Sequence, residues 1–175
     1  MNKKTRRKNG FTLAEVLLAM LILLLVSGIV VGGIPAAINA YKKIVLSANA
    51  HALISTTMVE LRDKLALSKE IDLSGGTLVF VSNDGRKYSL SLKDKDGLYL
   101  SDITADGSDA SRLLVSDPAT TKELYAKFKT VSYAAGKNNV IEFTDLCVCN
   151  KDSTKEDDKG YVSVDSFMVE LINLR

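Results

Sequence analysis

Asn9-Gly10-Phe11-Thr12-Leu13-Ala14-Glu15 opens an apolar run that continues to Ile38. Five cations stand just upstream, Lys3, Lys4, Arg6, Arg7 and Lys8, and the next charged side chain after Glu15 is Lys42. About 20 helical residues cross a hydrocarbon core roughly 30 Å thick, so the run is long enough to span a membrane. The basic flank predicts that the amino-terminal end stays cytoplasmic and that the rest of the chain lies on the other side.

Glu15 does not serve a plain anchor. A carboxylate at the centre of a membrane helix costs about 2.5–3.5 kcal/mol, less near the edge, and acids so placed usually have a partner or a task. A cut between Gly10 and Phe11 would put a new α-amine one helical turn from Glu15. Amine and carboxylate attract strongly where the dielectric is low. Between two chains that pairing also fixes their axial offset. Two plainer readings fit less well. A secretory signal peptide has an apolar core of about 7–15 residues, shorter than this one, although Ala36-Ala37 could be cut by a general signal peptidase. An uncleaved signal anchor leaves Glu15 without a purpose.

Lys8-Asn9-Gly10-Phe11-Thr12-Leu13-Ala14-Glu15-Val16-Leu17, behind a short basic leader and ahead of a membrane helix, resembles the amino terminus of type IV pilins and pseudopilins. The resemblance covers the first 35 residues or so. It implies a prepilin peptidase that cleaves after Gly10 and methylates the amine of Phe11. It implies that Glu15 neutralises the Phe11 amine of a neighbouring subunit during filament assembly, with Thr12 beside the joint. The partners it implies are that peptidase, other pilin subunits, an inner-membrane assembly platform and membrane lipid. The site it implies is the cytoplasmic membrane, with the carboxy-terminal domain outside the cytoplasm, and then a pilus or pseudopilus. Phe11 to Met20 is similar to minor pilins and to minor pseudopilins of type II secretion or competence systems.

The chain has 175 residues and a formal charge of +2, but residues 1–10 hold five positive and no negative side chains, so without them the balance is −3. Such a chain has no overall bias toward nucleic acid, and DNA contact would need a local patch or partner subunits. Cys147 and Cys149 are the only cysteines. On a strand they share a face, with Cα atoms near the upper limit for a disulfide, so two buried thiols are favoured over a strained bridge. A metal site would need more ligands, and the only histidine, His51, is far away in sequence.

Taken in order, residues 1–10 form a leader and residues 11–37 a membrane-spanning or filament-core helix. Gly28, Gly32, Gly33 and Pro35 then weaken that helix, and a kink or partial melting is expected at Gly32, Gly33 and Pro35. Residues 38–74 read as an amphipathic continuation. Ile38, Tyr41, Val45, Ala48 and Ala52 make one stripe and Ile54, Met58, Leu61 and Leu65 a shifted one, read together as a core-facing side. Ser74-Gly75-Gly76 is the expected stop. The whole helix would hold about 60 residues, near 90 Å at about 1.5 Å each.

Residues 75–175 read as a β-sheet domain. Thr77–Val81, Lys87–Lys93 and a strand from Leu98 are joined at Asn83-Asp84-Gly85 and Asp94-Lys95-Asp96-Gly97, which makes a meander. Asp102 to Pro118 reads as a polar loop around Leu113-Leu114-Val115. Leu124–Ala134, Val140–Cys149 and Tyr161–Leu174 read as three further strands, the last with a one-residue slip near Ser166. Asn150 to Gly160 reads as a charged surface loop. The acids at Asp94, Asp96, Asp102, Asp106 and Asp109 lack the spacing of a calcium loop and suit turns instead.

No nucleophile with a base, no Walker loop and no distinct carboxylate pair is present, so no catalytic residue, cofactor or metal is assigned and the chain reads as a non-enzyme. The fold class expected is α+β and pilin-like, a long amino-terminal helix packed on an antiparallel sheet. A reading of a different class is a monomeric membrane-tethered binding or sensor domain, which would work with residues 1–10 still attached.

Overall fold

The computed structural model describes residues 11–73, 77–104, 110–134, 139–152 and 161–172. The fold is α+β: among the described residues a long helix α1 (Leu13–Leu65) is followed by nine strands and one short helix. The chain divides into two units, residues 1–44 and 45–175.

In the first unit α1 is helical without interruption through Pro35. Of the kink or partial melting expected at Gly32, Gly33 and Pro35, melting is not seen: the helical turns continue across all three. A proline removes one backbone hydrogen bond, and here the bonds of the surrounding turns hold the helix without it. An added Cβ at Gly28, Gly32 or Gly33 would meet nothing within 4 Å, so no contact within the chain requires glycine there.

In the second unit the core-facing side of α1 is Ala50, Leu53, Ile54, Thr57, Leu61 and Leu65. Leu46 and Met58 pack against the same core. The earlier stripe does not join it, because Tyr41, Ala48 and Ala52 are exposed. Thr57, in the weakest helical stretch, is buried because its hydroxyl donates to the Leu53 carbonyl at 2.7 Å. The helix stops at Leu65, nine residues before the expected position. Ser68 is the cause: its N–H (2.9 Å) and its hydroxyl (2.7 Å) both donate to the Leu65 carbonyl. A serine side chain that competes for helix carbonyls favours termination. The expected stop at Ser74-Gly75-Gly76 lies outside the described residues.

Chain direction then reverses into a five-stranded antiparallel meander, β1 (Glu70–Asp72), β2 (Leu78–Val81), β3 (Lys87–Lys93), β4 (Gly97–Asp102) and β5 (Ala110–Leu113), paired in sequence order. Both predicted turns are present. Gly85 has φ +83° and donates to the Ser82 carbonyl, and a 3₁₀ turn over Asp94–Asp96 ends at Gly97 with φ +110°. Strands β1 and β5 carry no clear strand signal in the sequence. Glu70-Ile71-Asp72 is too short and polar to show alternation, and β5 falls in the stretch read as loop. Residues 105–109 lie outside the described residues.

The second sheet is built on β8 (Val140–Asn150). Along one of its edges run β6 (Leu124–Lys127) and β7 (Thr130–Ala134), and along the other runs β9 (Val162–Glu170). Lys127 faces Cys147 and Thr130 faces Thr144, so β6 and β7 keep one register and are a single strand interrupted at Phe128–Lys129. The slip predicted near Ser166 is shared by the whole sheet. The β8 residues that join the core change from Ile141 and Phe143 to Leu146 and Val148, while Cys147 and Cys149 between and beyond them are buried as well. The change falls at Asp145, whose φ is +52°. On β9 the inward residues change from Val169 and Phe167 to Val164 and Val162, yet the pairing with β8 keeps the same register on both sides of the step. No residue is inserted; the left-handed residue at Asp145 turns the faces over instead.

A short helix α2 (Pro118–Thr121), capped by Asp117 whose carboxylate accepts from the Ala119 N–H at 3.0 Å, links the two sheets. Its Ala119 carbonyl accepts from the Asn49 side chain of α1 at 3.3 Å. One cluster buries Leu53, Leu61 and Leu65 of α1 with Phe80, Leu90 and Leu100 of the first sheet and Phe143, Leu146 and Val148 of the second. Removing such side chains from water is the main favourable term in folding.

Candidate functional site

Thr12 and Glu15 shape the start of α1. The Thr12 carbonyl accepts from the N–H groups of Glu15 (3.1 Å) and Val16 (3.2 Å). The Glu15 N–H also reaches the Thr12 hydroxyl oxygen at 3.3 Å. In return the Glu15 carboxylate accepts from the Thr12 N–H (2.8 Å) and from the Thr12 hydroxyl (2.9 Å). This is a capping box: the Thr12 amide, which has no partner inside the helix, is satisfied by the Glu15 side chain, and the Glu15 amide is shared between the Thr12 carbonyl and hydroxyl. The helix therefore begins at Leu13, two residues later than Phe11. The signature Thr-x-x-Glu is legible in the sequence, and it gives Thr12, placed above only beside the joint, a role of its own.

Both bonds from Thr12 end on Oε2 of Glu15, and Oε1 takes part in neither. The carboxylate is thus turned back toward the amino end of the helix, where the positive end of the helix dipole also lies. The amide it uses belongs to Thr12, one residue inside the Gly10–Phe11 bond, so cleavage of that bond would leave the cap in place. Phe11 is 87% exposed. Gly10 lies outside the described residues. Beyond the cap, α1 contains one stretch long and apolar enough to cross a membrane, and none of it is buried within the chain. Leu17, Leu21, Leu24 and Ile29 are among the side chains left uncovered.

Elsewhere the sequence-predicted candidates are not brought together. His51 is exposed on α1. Asp94 and Asp96 lie in the 3₁₀ turn, and Asp102 lies at the end of β4. Bonds from the Thr104 hydroxyl and N–H hold the Asp102 carboxyl below the usual carboxylate range, with Arg86 adding to the effect. Asp106 and Asp109 lie outside the described residues. Among the described residues no three His, Cys, Asp or Glu side chains are grouped as a metal would need. Cys147 and Cys149 are buried thiols with sulfurs 3.8 Å apart. Burial, then the neighbouring Cys149, pushes the Cys147 thiol up to about 12. A thiol held so far from ionisation is a poor nucleophile and a poor metal ligand.

Residues 5–31 match the family model of the prokaryotic N-terminal methylation motif. No curated protein and no solved structure matches the chain. The matched segment contains the basic leader, Gly10, Phe11, the capping box and most of the apolar run. It is the signature of type IV pilins and pseudopilins, and it points to a structural subunit.

Proposed function

We propose that this chain, as a bearer of the prepilin methylation motif, is a minor subunit of a type IV pilus or of a related secretion or competence filament. The observation that carries the reading is the coincidence, within residues 5–31, of the matched motif with a carboxylate already fixed at the first helical turn. A prepilin peptidase on the cytoplasmic side cuts after Gly10, and the amine of Phe11 is methylated. The chain then rests in the membrane through residues 11–37, with its globular unit outside the cytoplasm.

Assembly follows from electrostatics. The cationic amine of an incoming Phe11 and the carboxylate of a resident Glu15 are each costly in an apolar surrounding, and they offset that cost only by meeting. The capping box holds the carboxylate in one orientation through Oε2 and leaves Oε1 to accept the incoming amine. The axial offset between neighbours is then set by one charge pair, and the uncovered apolar face of α1 is covered by sibling helices. Thr12 is a positioning residue in this scheme.

The test is the mass of the amino-terminal peptide of protein taken from its native membranes. The expected peptide begins at N-methylated Phe11. A chain still beginning near Met1 would sink the reading and favour a tethered binding domain, and one beginning near residue 38 would make it a secreted domain.

A further inference from the structure

Strand β5 closes the five-stranded sheet and, among the described residues, pairs only with β4. Between β5 and the last turns of α1 lies a cavity of about 360 Å³, lined by Glu60 and Lys64 from the helix, Leu100 from β4 and Arg112 and Leu113 from β5. Its size is within the range of about 300–1,000 Å³ typical of ligand sites.

Arg112 stands directly opposite Leu100 in the ladder, so the two side chains leave the sheet on the same face. Leu100 is buried in the core. The edge strand therefore presents a guanidinium on the face where its neighbour presents a core leucine. A charged side chain on an edge strand is one way proteins keep a free edge from indiscriminate pairing. Here it also shares the cavity with Lys64. Among the described residues Glu60, Lys64 and Arg112 make no ion pair and no side-chain hydrogen bond. Among the described lining residues, two cations and one acid give a net charge of one positive.

The backbone of the edge is also available. Leu114 donates to the Leu98 carbonyl at 2.8 Å, which makes 98 and 114 a hydrogen-bonded pair. In an antiparallel ladder the bonded pairs alternate, so Leu113 and Ser111 direct their N–H and C=O groups away from β4. A bare strand edge beside a cationic groove combines the main-chain and side-chain halves of strand-addition recognition.

We propose that this groove receives an extended acidic peptide segment of a partner protein, which adds to the β5 edge through Leu113 and Ser111 and sets a carboxylate between Lys64 and Arg112. Charge complementarity selects the acidic segment, and the unpaired edge selects an extended one. The proposal concerns the globular unit alone and stands whether or not the amino terminus is processed.

The experiment titrates the isotope-labelled full chain in detergent micelles with three probes, followed by amide chemical shifts. The probes are a capped hexapeptide of alternating valine and glutamate, its valine–lysine counterpart, and sodium phosphate. Saturable shifts at residues 111–114 and 60–64 are expected with the glutamate peptide, and binding at least about tenfold weaker with the lysine peptide. The Lys64→Glu, Arg112→Glu double variant should invert that preference. Arg112→Gln, a milder change at an exposed position, should weaken glutamate-peptide binding with the rest of the amide spectrum unchanged. Equal response to both peptides, no saturable shift in β5, or the same shifts from phosphate alone would each overturn the proposal.

Discussion

The Glu15 carboxylate reaches back one turn to Thr12 and accepts from both its N–H (2.8 Å) and its hydroxyl (2.9 Å). One acid thereby serves the helix within its own chain while a second oxygen stays outside that arrangement. The first two predictions separate these roles.

Glu15→Val should leave membrane insertion unchanged, because it removes a charge from an apolar segment. Incorporation into filaments should fall below detection. Membrane fractionation and immunoblotting of sheared filaments measure the two quantities side by side. Normal incorporation of the variant would remove Glu15 from the assembly step.

Thr12→Ala removes the hydroxyl but keeps the N–H. Loss of such a cap costs about 1 kcal/mol, within about 0.5–2. Fraying over residues 13–16 should increase, read as faster amide exchange in micelles, and filament yield should drop less than in Glu15→Val. Thr12→Ser, which restores the hydroxyl, should recover both.

Phe143 sits between Phe128, at 5.3 Å centroid distance and edge-on, and Phe167, at 6.1 Å and stacked. It is fully buried on β8. Phe143→Ala should destabilise the globular unit by about 3–5 kcal/mol, because a large cavity opens where the surrounding strands cannot collapse. Urea unfolding followed by near-ultraviolet circular dichroism measures the loss.

Cys147 gives a pH dependence of definite sign. Its pKa is raised from 9.0 to about 12 in the folded chain, chiefly by burial. The folded state therefore holds the proton where the unfolded state has lost it. The contribution to stability is complete below about pH 9 and is lost as pH rises through about 12. The urea midpoint of the wild-type chain should fall more steeply above pH 9 than that of Cys147→Ser. Maleimide labelling of native protein at pH 7–8 should likewise be slow and should become fast once urea unfolds the chain.

Much of this architecture was legible because the chemistry is local. The apolar run from Val16 declares a membrane helix, and Tyr88, Leu90 and Leu92 alternate as a strand should. Other features depend on partners distant in sequence. Leu65 and Ser68 end the helix by a side-chain bond that composition hardly signals, so the stop was placed at the glycines beyond it. Glu70-Ile71-Asp72 becomes a strand only because β2 lies alongside. The two apolar stripes on α1 looked equivalent as periodicity, yet only the stripe through Leu53, Leu61 and Leu65 meets the sheets. At the amino terminus Gly10, Phe11 and Glu15 could be read directly, and the role of Thr12 needed the coordinates of its bonds. The groove at Lys64 and Arg112 had no sequence signal, since its two cations stand 48 positions apart.

Where α1 gives way to the sheets, Ala66 accepts a hydrogen bond from Ile172 at 2.8 Å and Lys69 donates to Val81, also at 2.8 Å. The segment that follows β9 and the strand β2 thus grip the same few residues. For a subunit drawn on through its helix, that junction is a mechanical clamp. Tension arriving at Ala66 would reach both sheets through these two bonds.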